Sequence, residues 1–103
     1  ETIAYIAWEP SAGTLADKSF EVGLIEDAVT DRGLEFFPRT TFANMPAFFT
    51  GMQTAYGMDT ATLRQRWADK GALTVEVWVE EEASADQEVE HTPEVAGYLF
   101  IGE

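Results

Sequence analysis

Residues 73–81 carry the cleanest alternation in the chain. Leu73, Val75, Val77 and Val79 fall on one side, and Thr74, Glu76, Trp78 and Glu80 on the other. A period of two with β-branched residues predicts a strand with one buried face. Residues 94–101 predict another, with Tyr98 and Phe100 on one face and Val95, Leu99 and Ile101 on the other. Residues 19–25 alternate Phe20, Val22 and Leu24 against Ser19, Glu21 and Gly23, and read as a third strand. In residues 1–8 both sides are apolar (Ile3, Tyr5 and Ala7 against Ala4, Ile6 and Trp8). That is the pattern of a strand covered on two faces or lying at a sandwich edge. Residues 10–13 and 31–33 punctuate as turns. Residues 34–37 open a short strand that Pro38 confines to an edge or an end.

The middle of the chain supports two readings. Phe42, Met45, Phe48, Phe49, Met52 and Tyr56 fall at helical spacing. Asp59 is placed to cap a second helix, with Met58 and Leu63 as its hydrophobic staple. Residues 57–71 then look like half of a helix-turn-helix with Arg64 and Arg66 facing DNA. Against this, residues 47–54 and 60–68 are rich in Thr and aromatics and contain Gly51, all poor helix formers. Pairing 60–67 with 73–80 across a turn at 68–72 sets Trp67 opposite Leu73, Gln65 opposite Val75, Leu63 opposite Val77 and Ala61 opposite Val79. The other face then joins Arg64 to Glu76 and Thr62 to Trp78. A one-residue slip would bury Glu76. Each cross-strand pair contributes roughly 0.2–1 kcal/mol, and an apolar face and a charge-paired face emerge together. Strands are the expected state of this region.

Residues 1–8 and 94–101 echo each other: Glu, two variable positions, a small residue, Tyr, an aliphatic, then apolar residues. This suggests equivalent strands, or an array in which the end of one repeat looks like the start of the next. The stretch from Phe42 to Glu103 carries a longer pattern. It comprises Phe42 and Pro46, Gln53-Thr54, Gly57-Met58-Asp59-Thr60-Ala61-Thr62-Leu63-Arg64 and Gly71 ahead of the valine-rich strand. Then come Glu80-Glu81-Glu82-Ala83-Ser84-Ala85-Asp86, Glu88, His91-Thr92, Glu94 and Gly97-Tyr98-Leu99. On these residues the chain resembles the H-type-lectin-like β-sandwich repeats of large secreted proteins of marine and environmental bacteria. The resemblance implies an antiparallel sandwich of about six or more strands, and carbohydrate binding of the kind its best-known members perform.

Composition narrows the field. At 103 residues, with 46% apolar and 13% aromatic positions, the chain is long enough for one domain with its own core. Beginning at Glu1 without a leader pattern, it reads as a single 1–103 domain of a longer multidomain or tandem-repeat protein, secreted if the family resemblance holds. Nineteen acids against six bases give a net charge of −13, which disfavours nucleic acid and anionic membrane as partners. The acids are unevenly placed: residues 73–103 hold nine acids and no base, whereas 39–72 hold four bases and two acids. With no cysteine and one histidine there is no disulfide framework, thiolate metal site or cysteine nucleophile. No spacing of nucleophile and base, and no phosphate-cradling glycine loop, points to an enzyme.

The expected function is therefore non-catalytic binding of a polysaccharide or glycan by a lectin-like module. Its alternatives are a structural or adhesive repeat that contacts neighbouring domains or further copies of itself and, from another class, the helix-turn-helix DNA binder. Trp78 is the leading contact residue, since a large indole on an outward strand position offers an apolar platform to a sugar ring. Arg64, Glu76 and Glu80 flank it with polar groups, and Asp59 and His91 complete the candidate sugar set. A surface salt bridge for Arg64 with Glu76, and core positions for Trp67 and Trp8, are the simpler structural alternatives. The acidic run 80–94 is a candidate calcium site through Glu81, Asp86 and Glu88, because calcium takes six to eight oxygens and tolerates irregular loops. A solvated acidic loop is the simpler account of the same run.

Overall fold

The computed structural model describes residues 2, 6–57, 61–68, 73–81 and 91–103. These form an all-β antiparallel sandwich, with no helix among the described residues. The strands are β1 (Ser11–Leu15), β2 (Lys18–Val29), β3 (Leu34–Phe36), β4 (Ala47–Met52), β5 (Ala61–Trp67), β6 (Val75–Glu81) and β7 (Glu94–Gly102). One sheet runs β1-β2-β7-β4 and the other β3-β6-β5. The contested middle is thus two strands, one in each sheet. The helical spacing of its large residues is coincidental: Phe48 points into the core while Met45, Phe49 and Tyr56 are exposed.

The core lies between the sheets. Val75, Val77 and Val79 of β6 face Phe48, Ala96 and Phe100 of the larger sheet, with Val29 alongside. Phe100 is at its centre, its ring 4.7 Å from Phe48, 5.5 Å from Tyr98 and 5.9 Å from Phe36. Gln65 is the polar residue of β5 on the inner side of the β5–β6 pair, at its exposed edge. Its Nε2 donates to the Phe48 carbonyl at 3.3 Å, which joins edge strands β4 and β5 across the sandwich.

Three expectations are corrected. The β5–β6 pairing keeps the expected parity but is shifted by two residues, with Trp67 opposite Val75, Gln65 opposite Val77, Leu63 opposite Val79 and Ala61 opposite Glu81. A two-residue shift leaves every side chain on its own face, so alternation does not discriminate against it. The connection decides, and it is longer than a 68–72 turn: the Ala68 N–H donates to the Thr74 carbonyl at 2.8 Å. Residues 11–13 belong to a strand, not a turn. The reversal comes at Ala16-Asp17, with Ala16 at φ 56°, a conformation for which hairpins ordinarily use glycine. Residues 6–9 pair in neither sheet. β1 takes the edge beside β2, and Trp8 instead lays its ring against Phe20 at a centroid distance of 4.9 Å. Residues 1 and 3–5 of that expected strand lie outside the described residues.

β2 turns its polar set inward. Phe20, Val22 and Leu24 pair with Ile101, Leu99 and Gly97 on the outer face, while Glu21 and Gly23 oppose Phe100 and Tyr98 on the inner one. Gly23 is required there, because a Cβ would come within 2.6 Å of the Tyr98 hydroxyl. The buried Glu21 accepts from the Arg39 and Thr40 N–H groups at 2.8 and 2.7 Å and from the Tyr98 hydroxyl at 2.8 Å. Burial raises the Glu21 pKa, but these three donations outweigh it and hold the carboxyl below its ordinary value of 4.5. The same contact, after burial itself, pushes the Tyr98 phenol up to about 12.

Candidate functional site

The alternation of β6 that buries Val75, Val77 and Val79 necessarily sends Glu76, Trp78 and Glu80 to the outside of the three-stranded sheet. β5 supplies Thr62, Arg64 and Arg66 to the same face, because they oppose Glu80, Trp78 and Glu76 in the ladder. Two ion pairs flank the indole. Arg64 Nε lies 3.1 Å from Glu80 Oε2, and an Arg66 guanidinium nitrogen lies 2.8 Å from Glu76 Oε1. The Arg66 guanidinium also sits 5.6 Å from the centroid of the Trp78 ring, within cation–π range. On the far side Glu76 leans over Gly33, where a Cβ would come within 2.6 Å of its carboxyl carbon.

Four of the candidate sugar residues (Trp78, Arg64, Glu76 and Glu80) therefore share the outer face of β5 and β6, where Arg64 and Glu80 are exposed and Trp78 and Glu76 partly buried. The two-residue shift exchanges their partners: Glu76 pairs with Arg66, not with Arg64. Arg66 is the member of this face that the expected register missed. Both arginines are more than half exposed and can rearrange around an incoming group, so the ion pairs contribute little to stability. Asp59, Asp86 and Glu88 lie outside the described residues.

His91 is not on this face. Its side chain is 1% exposed, sealed between the end of β6 and the start of β7. Nδ1 lies 2.5 Å from Glu81 Oε1 and Nε2 2.9 Å from Glu94 Oε2. Glu94 is fully buried and collects three more donors: the Thr54 hydroxyl at 2.8 Å, the Tyr56 N–H at 2.7 Å and the Gly57 N–H at 3.4 Å. Burial alone would raise the Glu94 pKa. The histidine and these donors overcome it and bring the carboxyl down to about 2. Desolvation likewise pulls the His91 pKa down, but its hydrogen bonds to Glu94 and Glu81 prevail and raise it above 6.5.

Glu81 is turned inward as well, one step beyond Val79 on the buried face of β6. Its Oε1 is held by His91, and its Oε2 is buried with no hydrogen-bond partner among the described residues. It is not a free ligand of an acidic loop, so the calcium set retains only its two members outside the described residues. Glu81 and Glu94 approach opposite nitrogens of one ring and so do not converge on a common point for a metal ion. Among the described residues no three acidic, histidine or cysteine side chains gather into a metal-binding group.

The opposite surface is apolar. The outer face of the four-stranded sheet carries Leu24, Phe49 and Leu99 around Gly51 and Gly97, and residues 6–8 cross above it. The resulting open groove has a volume of about 550 Å³. Ile6 is 84%, Phe49 57% and Leu24 46% exposed along it. Gln53, folded over Gly97, is its principal polar side chain.

Comparison with protein-family models, curated proteins and solved structures returns no match to this chain. The functional reading therefore rests on the two exposed faces and on the chemistry each can perform.

Proposed function

We propose that this domain is a non-catalytic carbohydrate-binding module that contacts its ligand through the outer face of β5 and β6. The carrying observation is the convergence of the partly exposed Trp78 with Arg64, Arg66, Glu76 and Glu80 on the outer side of the three-stranded sheet. An indole supplies an apolar plane for the C–H face of a sugar, and guanidinium and carboxylate groups around it donate to and accept from hydroxyls. Catalysis has no support here: the one imidazole is buried with both nitrogens engaged, so it is not available to a substrate as a general base. A neutral polymer fits best, because a chain of charge −13 repels sulfated or uronic ones. Pull-down on insoluble polysaccharides and a glycan array test this directly. Trp78→Ala is expected to lower retention at least tenfold while shifting the melting point by only a few degrees. Full retention by the variant would remove the site.

A second reading, a structural or adhesive repeat, is favoured by the apolar groove on the other sheet. Exposed apolar clusters of this kind commonly mark contact surfaces. If copies or neighbouring domains assemble through it, a variant carrying both Leu24→Glu and Phe49→Glu should need at least tenfold higher concentration to self-associate in sedimentation equilibrium. Trp78→Ala should leave that association unchanged.

A further inference from the structure

We infer that His91 is an imidazolium in the folded domain and acts as a proton-dependent latch between the two sheets, closing the end of the sandwich where β6 gives way to β7. The geometry is that of a donor between two acceptors. An ionised carboxylate only accepts hydrogen bonds, and a neutral imidazole carries a single N–H. With Glu81 Oε1 at 2.5 Å from Nδ1 and Glu94 Oε2 at 2.9 Å from Nε2, a neutral ring would set a lone pair against a carboxylate on one side. A doubly protonated ring donates on both sides. Glu94 is the fixed end of this arrangement: every other group on its oxygens is a donor, so it is ionised and Nε2 carries a hydrogen. The variable proton is the one between Nδ1 and Glu81.

What this proton joins is structural. Glu81 ends β6 in the three-stranded sheet, and Glu94 begins β7 in the four-stranded sheet. The segment after β4 is drawn in through Thr54, Tyr56 and Gly57. The Asp31 carboxylate, from the connection after β2, accepts the His91 backbone N–H at 3.2 Å. Among the described residues the charged groups against His91 are thus Glu81 from β6 and Glu94 from β7 on the ring, both favouring the cation, and Asp31 on its backbone N–H. The Gly57 backbone lies so close over the ring that a Cβ there would collide with Cε1, which keeps bulk water from replacing either carboxylate.

The two ends of the latch fail at opposite extremes of pH. The proton on His91 is held more tightly folded than unfolded. Its contribution is complete below the unfolded value of 6.5 and disappears as pH rises through the raised folded value. Glu94 binds its proton less tightly when folded. Its contribution is complete above 4.5 and disappears as pH falls toward about 2. The latch is therefore fully effective between about pH 4.5 and 6.5 and loosens on either side.

Because the chain has one histidine, long-range ¹H–¹⁵N correlation spectra of the full domain report this ring alone. In a titration between pH 5 and 10 both ring nitrogens are expected to be protonated at pH 6, with a midpoint above that of a free imidazole. A bare Nδ1 at pH 6, or a midpoint at or below 6.5, would overturn the inference. Glu81→Gln keeps an oxygen able to accept from Nδ1 but removes the charge, and should weaken proton binding about tenfold. The unaltered domain is expected to melt at progressively lower temperature as pH rises from 7 to 10, and the variant should lose that decline. An unchanged midpoint and an unchanged alkaline decline in that variant would equally overturn it.

Discussion

Glu94→Ala is expected to leave the domain at the edge of unfolding at room temperature. The carboxylate serves four donors at once: His91 Nε2, the Thr54 hydroxyl and the Tyr56 and Gly57 N–H groups. Glu94 and His91 are buried and Thr54 and Gly57 half-buried, so removal of the acceptor leaves donors there unsatisfied instead of returning all of them to water. The Thr54 hydroxyl also accepts the Val95 N–H at 3.0 Å, which extends the damage to the first pair of β7. Removing one partner of a buried charged pair typically destabilises by about 3–5 kcal/mol, against a total of roughly 5–15 kcal/mol for a domain of this size. Urea unfolding should show a midpoint lowered by half or more with an unchanged slope. Glu94→Gln, which keeps an acceptor oxygen but not the charge, should fall between the two. An alanine variant within 1 kcal/mol of the parent, on the order of a single ordinary hydrogen bond, would show that the cluster does not hold the fold.

Phe100→Ala should be comparably severe for a different reason. The ring is fully buried and lies 4.7 Å from Phe48, 5.5 Å from Tyr98, 5.9 Å from Phe36 and 6.3 Å from Phe42 and Trp67. These partners come from both sheets, so no single strand can move to fill the space. Truncating a buried Phe to Ala typically removes about 3–5 kcal/mol, the larger part where the cavity does not collapse. For about 100 residues each kcal/mol shifts the melting point by roughly 4–8 °C, so a drop of more than 12 °C is expected by calorimetry. Phe100→Leu, which keeps most of the volume, should lose well under half as much. The contrast with Glu94 lies in pH: the Phe100 deficit should be flat from pH 4 to 9, whereas the Glu94 deficit should shrink as the pH falls from 4.5 toward 2, where the unaltered carboxylate is itself being protonated.

The resemblance to H-type-lectin-like repeats and the observed fold agree at the level of an antiparallel sandwich, which many unrelated functions share. In the proposed function, sugar recognition is assigned to the Trp78 face. That face also separates this reading from the DNA-binding one. Arg64 and Arg66 are strand residues, each in an ion pair with a glutamate of the neighbouring strand, and not a row on a recognition helix.

Local alternation pointed to strands at residues 73–81 and 94–101, observed at 75–81 and 94–102, and determined that Glu76, Trp78 and Glu80 share a side. Side-chain direction along a strand has a period of two whatever the strand pairs with. The same period hid the register, because a two-residue shift of β5 against β6 preserves every face; only the long 68–74 connection distinguished Arg66–Glu76 from Arg64–Glu76. Alternation was also silent on which side of β2 is inner. Its apolar set is outermost because Gly23 must admit the Tyr98 ring and Glu21 must receive the Tyr98 hydroxyl with two backbone N–H groups. Charge in the sequence showed an acidic run with one histidine in it. It did not show that Glu81 continues the inner face of β6, or that Glu94, separated from His91 by three positions, comes back as its second partner. Burial of a charge is decided by the donors that surround it in space. For Glu94 these come from residues 54–57, some forty positions away, and only folding brings them together.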